Sequence, residues 1–224
     1  MSILEQFSDL HARFFARKDI LNAAQEIAEK LETNIAWIEQ VHGDRSIVVR
    51  DALNATEKAD GIATDQKNLA LIIQVADCQA FLFYDPTKKI LSLLHAGWRG
   101  LASNAIQKHI DLLSKTWNTD PHDLFVYIAP SICAACYEFK GWHDVLPAAM
   151  HPYVQNDHLD LMSCANDQLK AADILQDHIE RSPDCTCHMA SSYWSWRAKN
   201  TGPDAPKEDR TKRNYLVAML KTIS

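Results

Sequence analysis

The sequence predicts a single domain of mixed α and β structure. Its 224 residues are enough to bury a full hydrophobic core. Short apolar runs of the kind found in buried strands alternate with segments of helical spacing. No internal repeat, linker or composition shift separates these elements. We therefore expect residues 1–224 to fold as one domain.

The individual elements follow from the apolar pattern. An amphipathic helix is predicted over residues 19–31, because Asp19 is a favourable N-cap and Ile20, Ala24, Ile27 and Leu31 share one face. Further helices are predicted at 101–117, 142–150 and 166–181, and strands at 35–41, 46–50, 69–76, 80–84, 90–94, 124–130 and 215–220. The polar segments 51–68 and 198–214 are predicted to be loops, and the second is expected to be mobile.

Composition argues against several classes of partner. The net charge is −6 and no run of basic residues stands out, so we expect no nucleic-acid partner. No apolar stretch approaches the ~18 residues of a membrane span, and the first residues lack a signal-peptide pattern. These features indicate a cytoplasmic protein without membrane association, and no protein partner is evident. The six cysteines are expected to be free thiols.

Three chemically reactive side chains stand where predicted strands end. His42 follows the strand at 35–41, Cys78 follows the strand at 69–76, and His95 follows the strand at 90–94. Two imidazoles and a thiolate are zinc ligands, and three protein ligands leave one position open for water or substrate. The working hypothesis is one catalytic zinc per chain. In the competing interpretation, the histidines bond to backbone groups and Cys78 is a small buried hydrophobic residue.

Other constellations remain open. A structural zinc site could combine Cys133-x-x-Cys136 with Cys185-x-Cys187-His188, although the second half lacks the usual C-x-x-C spacing. Cys78 with a histidine could instead be a thiol nucleophile. Arg99 follows a Gly-Trp turn, where an arginine commonly forms a surface salt bridge. At a junction between strand and helix it could also bind an anion.

Four motifs occur in order along the chain: QVHG (40–43), ADG (59–61), ADCQA followed by YDP (76–86), and HAGWRG (95–100). Together they closely resemble the YfiH family, also called the laccase-domain, multicopper polyphenol oxidase or peptidoglycan editing factor family. Segments 129–139 and 192–197 resemble two further family stretches, so the resemblance runs from about Trp37 to the C-terminus. It implies an α+β domain with a β-sandwich core covered by helices in α/β/β/α layers. It also implies zinc binding by His42, Cys78 and His95.

The resemblance implies purine nucleoside chemistry. The expected reactions are phosphorolysis of adenosine, inosine and methylthioadenosine, and deamination of adenosine to inosine, with nucleoside and phosphate as the small-molecule partners. Zinc suits the deamination, because it activates water for attack on the purine. We predict catalytic roles for Cys78 and Arg99, and substrate binding by Arg99 and Arg197. The side chain of Asp77 is expected on the opposite strand face from Cys78, so no general acid or base is assigned.

Two departures from the family pattern suggest an altered substrate preference. The N-terminal region is shortened, and Thr201-Gly202 is followed by Pro203 where the family has an arginine, the next arginines being Arg210 and Arg213. The alternatives to a nucleoside enzyme are a copper-dependent polyphenol oxidoreductase, a peptidoglycan editing hydrolase and a non-catalytic zinc module. Copper is the less favoured metal, because none of the ten histidines forms a His-x-His pair. A structural zinc normally has four protein ligands, which argues against the third alternative.

Overall fold

The computed structural model describes residues 3–19, 24–200 and 211–222. The strands in these ranges are β1 (Leu10–Phe15), β2 (Asn34–Glu39), β3 (Ser46–Val48), β4 (Leu53–Lys58), β5 (Gly61–Thr64), β6 (Leu69–Val75), β7 (Gln79–Asp85), β8 (Ile90–Ala96), β9 (Phe125–Ile128), β10 (Val154–Gln155), β11 (His158–Leu159), β12 (Ile179–Arg181) and β13 (Asn214–Leu220). The α-helices are α1 (Ala24–Leu31), α2 (Trp98–Ala102), α3 (Ala105–Trp117), α4 (Leu161–Ala171) and α5 (Trp196–Asn200).

Two mixed sheets pack face to face. One has the strand order β1-β13-β6-β2-β4 and the other has the order β12-β9-β7-β8-β5-β3. Their inner faces form one apolar cluster, in which Leu71 and Ile73 of β6 join Leu82 of β7 and Leu93 of β8. These residues alternate along their strands, as the two-residue period of a strand requires.

The outer faces of both sheets are covered by helices. Ile72 of β6 packs in a cluster with Ile27 of α1. On the other side, Phe81 of β7 packs in a cluster with Ile110 of α3 and Leu169 of α4. The predicted α/β/β/α layering is confirmed. Because both faces of the central strands are covered, their sequences are continuous apolar runs without alternation.

Several predicted elements are corrected by the structure. The segment 51–68 contains β4 and β5 rather than only loop. The helix predicted at 166–181 is α4, which begins earlier because the Asp160 carboxylate accepts hydrogen bonds from the backbone N–H groups of Met162 and Ser163. Its predicted second half is a 3₁₀ turn followed by β12.

Two further helices differ from prediction. The helix predicted at 101–117 begins at Trp98 and is split into α2 and α3, because Asn104 adopts a left-handed conformation. The helix predicted at 142–150 consists of 3₁₀ turns at Trp142–Asp144 and Ala148–Tyr153. Residues 20–23 of the first predicted helix and 201–210 of the predicted mobile loop lie outside the described residues. Among the described residues, no helix has the length and apolar character needed to cross a membrane.

Candidate active site

A cavity of about 470 Å³ opens at one end of the sandwich. The C-terminal ends of β2, β6 and β8 converge there, and the turn 76–78 carries the chain from one sheet to the other. The volume lies within the range of small-molecule sites, about 300–1,000 Å³. Aromatic and cationic side chains from the surrounding helices and loops complete the wall: Trp98, Tyr137, Phe139, Arg99, Arg197 and Arg213.

His42, Cys78 and His95 meet at the wall of this cavity, and we call them the pocket cluster. Their ligand atoms all lie within 4.8 Å of one another. The two imidazole rings cross nearly at right angles, with centroids 4.8 Å apart. His95 is buried at the end of β8, whereas His42 is exposed. The structure thus brings together the three residues that sequence reasoning selected, in an arrangement that could hold a metal ion.

Asp60 organises the pocket cluster, and sequence reasoning did not assign it this role. Its fully buried carboxylate contacts His95 Nδ1 at 2.8 Å and accepts the His42 backbone N–H at 2.9 Å. Because a carboxylate only accepts, Nδ1 of His95 carries the proton and Nε2 is left for a metal. The Gly43 backbone N–H donates to the other oxygen at 2.6 Å. Burial raises the pKa of Asp60, but these hydrogen bonds outweigh it and lower the pKa. The sequence feature that could have identified Asp60 is the ADG motif, which contains it.

The three side chains of the pocket cluster shift one another's pKa values. Burial raises the pKa of the Cys78 thiol, but hydrogen bonds with His42 and His95 outweigh it and bring the pKa to about 6. Burial lowers the pKa of His95, but the hydrogen bonds to Asp60 and Cys78 outweigh it and raise the pKa to about 9. Cys78 is therefore a thiolate at neutral pH, which is the form that binds metals, whereas His95 must release its Nε2 proton when a metal binds.

The backbone around the pocket cluster includes a close approach at a glycine and two residues with positive φ. A Cβ added to Gly97 would stand 2.8 Å from Cys78 Sγ and 3.7 Å from His42 Cδ2. Only glycine therefore allows the backbone that follows β8 to pass this close to the sulfur. His42 itself has a φ of 60°. Asp77, just before Cys78, has a φ of 88°. Such conformations are uncommon in residues other than glycine and persist where surrounding contacts enforce them.

The expectation for Asp77 is wrong. Asp77 lies in the turn between β6 and β7 and lines the same cavity as Cys78, so strand alternation does not separate the two side chains. Its buried carboxylate accepts the Thr186 hydroxyl and the Arg197 backbone N–H, each at 2.6 Å. Asp77 therefore ties two distant segments to the ligand-bearing turn.

Three guanidinium groups line the cavity of a chain whose net charge is −6. Arg99 lies in the first turn of α2 with its guanidinium 4.4 Å from the Trp98 ring centroid. Arg197 lies over Tyr137 at 5.1 Å, and its Nε is buried without a hydrogen-bond partner among the described residues. Within the same residues, no salt bridge holds either arginine. Sequence reasoning noted Arg213 only as a displaced arginine.

Comparison with known proteins places the chain in a family. The family model described as "Multi-copper polyphenol oxidoreductase laccase" matches residues 16–205. The relative from Geobacillus stearothermophilus named "Purine nucleoside phosphorylase YlmD" is 29% identical over 206 residues, which are 81% of this chain and 74% of the relative. The Bacillus subtilis protein of the same name is 30% identical over 131 residues, 53% of this chain. That match spans only 47%, about half, of the relative's own length.

Solved structures agree with the sequence match. The crystal structure of YlmD from Geobacillus stearothermophilus superposes with a TM-score of 0.80 and covers 96% of this chain and 93% of that one, at 24% identity. The Bacillus licheniformis hypothetical protein YfiH gives a TM-score of 0.72 at 27% identity, covering 88% and 79% of the two chains. With the family model spanning most of its length, the chain belongs to the YfiH family of laccase-like proteins.

Proposed function

We propose that this chain is a zinc-dependent purine nucleoside enzyme, which phosphorolyses adenosine, inosine and methylthioadenosine and deaminates adenosine to inosine. The observation that carries the proposal is the position of the pocket cluster, which opens onto a cavity lined by three guanidinium groups. Relatives at 29–30% identity that are named purine nucleoside phosphorylase support it.

The donor set fits zinc. Two imidazole nitrogens and one thiolate match its preferred ligands, and three protein ligands are the usual number at a catalytic zinc. The carboxylate of Asp60 accepts a hydrogen bond from Nδ1 of His95, as a carboxylate commonly does behind a metal-bound histidine. When bound, zinc supplies Lewis-acid chemistry that activates water for attack on C6 of a purine.

The rest of the cavity supplies binding and orientation. Phosphorolysis needs an anion beside the ribose, and Arg99 and Arg197 bring two guanidinium groups that can hold phosphate through paired N–H donors. Phe139 and the ring of Trp98 contact each other edge to face, with centroids 5.7 Å apart, and give the purine an apolar wall. Asp77 is committed to Thr186 and Arg197, so we assign it a positioning role.

Product analysis with adenosine tests the proposal. We expect the protein to form adenine only when phosphate is present and to form inosine with or without it. Cys78→Ala should lose both products, and Cys164→Ala, which changes a buried thiol packed against Met150, should keep both. Oxidation of phenols by a copper-loaded protein, with no adenine or inosine formed, would instead support the copper oxidoreductase that the family description names.

A further inference from the structure

Two loops beside the cavity bring a second group of metal-ligand side chains together. The first loop follows β9 and forms a 3₁₀ turn at Ala134–Cys136. The second follows β12, and an isolated bridge joins Ser131 of the first loop to Cys185 of the second. The ligand atoms of four side chains lie within 4.8 Å of one another: Cys133, Cys136, Cys185 and His188. We call these four residues the loop cluster.

The distances within the loop cluster suit one tetrahedral ion. Cys133 Sγ lies 3.7 Å from His188 Nδ1. Zn–S and Zn–N bonds of about 2.3 and 2.0 Å at a tetrahedral angle place sulfur and nitrogen about 3.5 Å apart. The backbone N–H of Cys133 donates to Cys185 Sγ at 3.3 Å, and the backbone N–H of His188 donates to the same sulfur.

We propose that the loop cluster binds one zinc ion as a closed structural site, additional to the pocket cluster and independent of the nucleoside chemistry. Three thiolates and one imidazole form a Cys₃His set, which fills all four positions of a structural zinc. The ligand pairs are Cys133-x-x-Cys136 and Cys185-x-x-His188. Two residues separate the ligands in each pair. The irregular spacing of Cys185-x-Cys187 is therefore no objection, because the second ligand of that pair is His188.

Cys187 lies between two of these residues in sequence and borders the loop cluster without belonging to it. Its thiol hydrogen-bonds with Cys136 and with Ser195. Cys187 is therefore a control within the same loop. All six cysteines are free thiols, so no disulfide consumes a ligand of the loop cluster.

The loop cluster lies between two loops that contact the active site. Ile132 and Tyr137, on either side of the Cys133–Cys136 turn, both line the active-site cavity. In the other loop, Thr186 follows Cys185 and its hydroxyl donates to Asp77 at 2.6 Å. An ion at the loop cluster would hold both loops together and so fix one wall of the cavity.

Zinc content, measured by elemental analysis of zinc-supplied protein, tests this proposal. We expect two zinc ions per chain in the wild type, one in Cys78→Ala, one in Cys185→Ser, and two in both Cys187→Ala and Cys164→Ala. Equal zinc content in the wild type and Cys185→Ser would overturn the proposal. The same holds if Cys187→Ala loses an ion while Cys185→Ser keeps it.

X-ray absorption at the zinc edge of Cys78→Ala provides a test that leaves the loop cluster unmutated, in case Cys185→Ser does not fold. The remaining zinc should show three sulfur neighbours and one nitrogen. A zinc-free Cys78→Ala protein, or a disulfide between two loop-cluster cysteines found by thiol counting, would exclude the site. The two proposals fail separately. Failure of the nucleoside proposal would appear as missing adenine and inosine in the wild-type assay, whereas failure of this proposal would appear as missing zinc in Cys78→Ala.

Discussion

The pocket cluster and the loop cluster use the same two residue types in opposite settings. The pocket cluster has three ligands at strand ends, a buried carboxylate behind one of them and a cavity in front. The loop cluster has four side chains of ligand type on two loops, with backbone N–H groups directed at a sulfur. An open position permits chemistry at the metal, whereas a complete shell stabilises loops. Ligand number and surroundings, more than residue type, therefore distinguish the two proposed roles.

The largest expected effect comes from removing a pocket ligand. Cys78→Ala should lower the rate of adenosine conversion by at least about 100-fold, because the Lewis acid is lost with the thiolate. The fold should persist, since the core of the sandwich does not depend on the metal. Assays of activity and circular dichroism check both parts. An unfolded spectrum would mean that the pocket metal is structural and that the contrast between the clusters is wrong.

Asp60→Asn tests the carboxylate that hydrogen-bonds with His95 in the pocket cluster. Asparagine brings an N–H₂ group where the carboxylate accepts from His95 and from the backbone of His42 and Gly43. We expect zinc affinity at the pocket to fall by about 10- to 100-fold. Competition with a chelator measures this, with Asp44→Asn, at a carboxylate paired with Lys108, as the control. Unchanged affinity would show that Asp60 does not position the ligands.

Arg99→Ala tests the anion site beside the pocket cluster. Loss of a charged hydrogen bond to phosphate should raise the KM for phosphate by about 10- to 100-fold and affect deamination much less. Steady-state kinetics of both reactions separate these effects. The control is Arg45→Ala, because Arg45 pairs with Glu57 on the surface. Near-normal kinetics for both reactions would mark Arg99 as a surface residue, and equal loss of both would mean that it shapes the pocket or binds the nucleoside.

The smallest effect concerns a buried histidine that belongs to neither cluster. His109 of α3 lies between the Ser46 and Ser92 hydroxyls at 2.8 and 2.9 Å, and burial lowers its pKa to about 3. His95 is also buried, but Asp60 helps to raise its pKa. Because the unfolded chain binds this proton below about pH 6.5 and the folded chain does not, His109 should cost about 2 kcal/mol of stability between pH 7 and pH 5.

Urea unfolding at both pH values checks this expectation. His109→Gln should lose about 2 kcal/mol less than the wild type on going from pH 7 to pH 5, whatever its stability at pH 7. Identical pH dependence in the two proteins would show that His109 binds its proton equally well in the folded and the unfolded chain. Burial between two hydroxyl groups would then not be enough to lower the pKa of this histidine.

The central strands and the pocket cluster could be predicted because their signals are local. Residues 69–96 have continuous apolar runs, since both faces of their strands are covered, and Cys78 and His95 stand where those runs end. The strand β4 was missed because most of its residues are exposed, so it has no apolar pattern. The strand β5 is only four residues long, which is too short to show a period.

Asp60 and Arg213 show what the sequence could not reveal. Asp60 stands 18 residues from His42 and 35 from His95, and its role depends on hydrogen bonds that form only after β2, β5 and β8 have assembled. Arg213 enters the cavity because β13 pairs with β6, far away in sequence. The pairing of Cys185 with His188 also depends on which way the Cys187 side chain points. Each of these features is tertiary.

The most direct test of the account is metal exchange in the wild-type protein, followed by measurement of phosphate-dependent adenine formation from adenosine. We expect activity to disappear when a chelator removes the metal and to return with zinc but not with copper. Elemental analysis at each step confirms the metal content. Full activity in protein shown to contain no metal, or activity restored by copper and not by zinc, would contradict a zinc enzyme built on His42, Cys78 and His95.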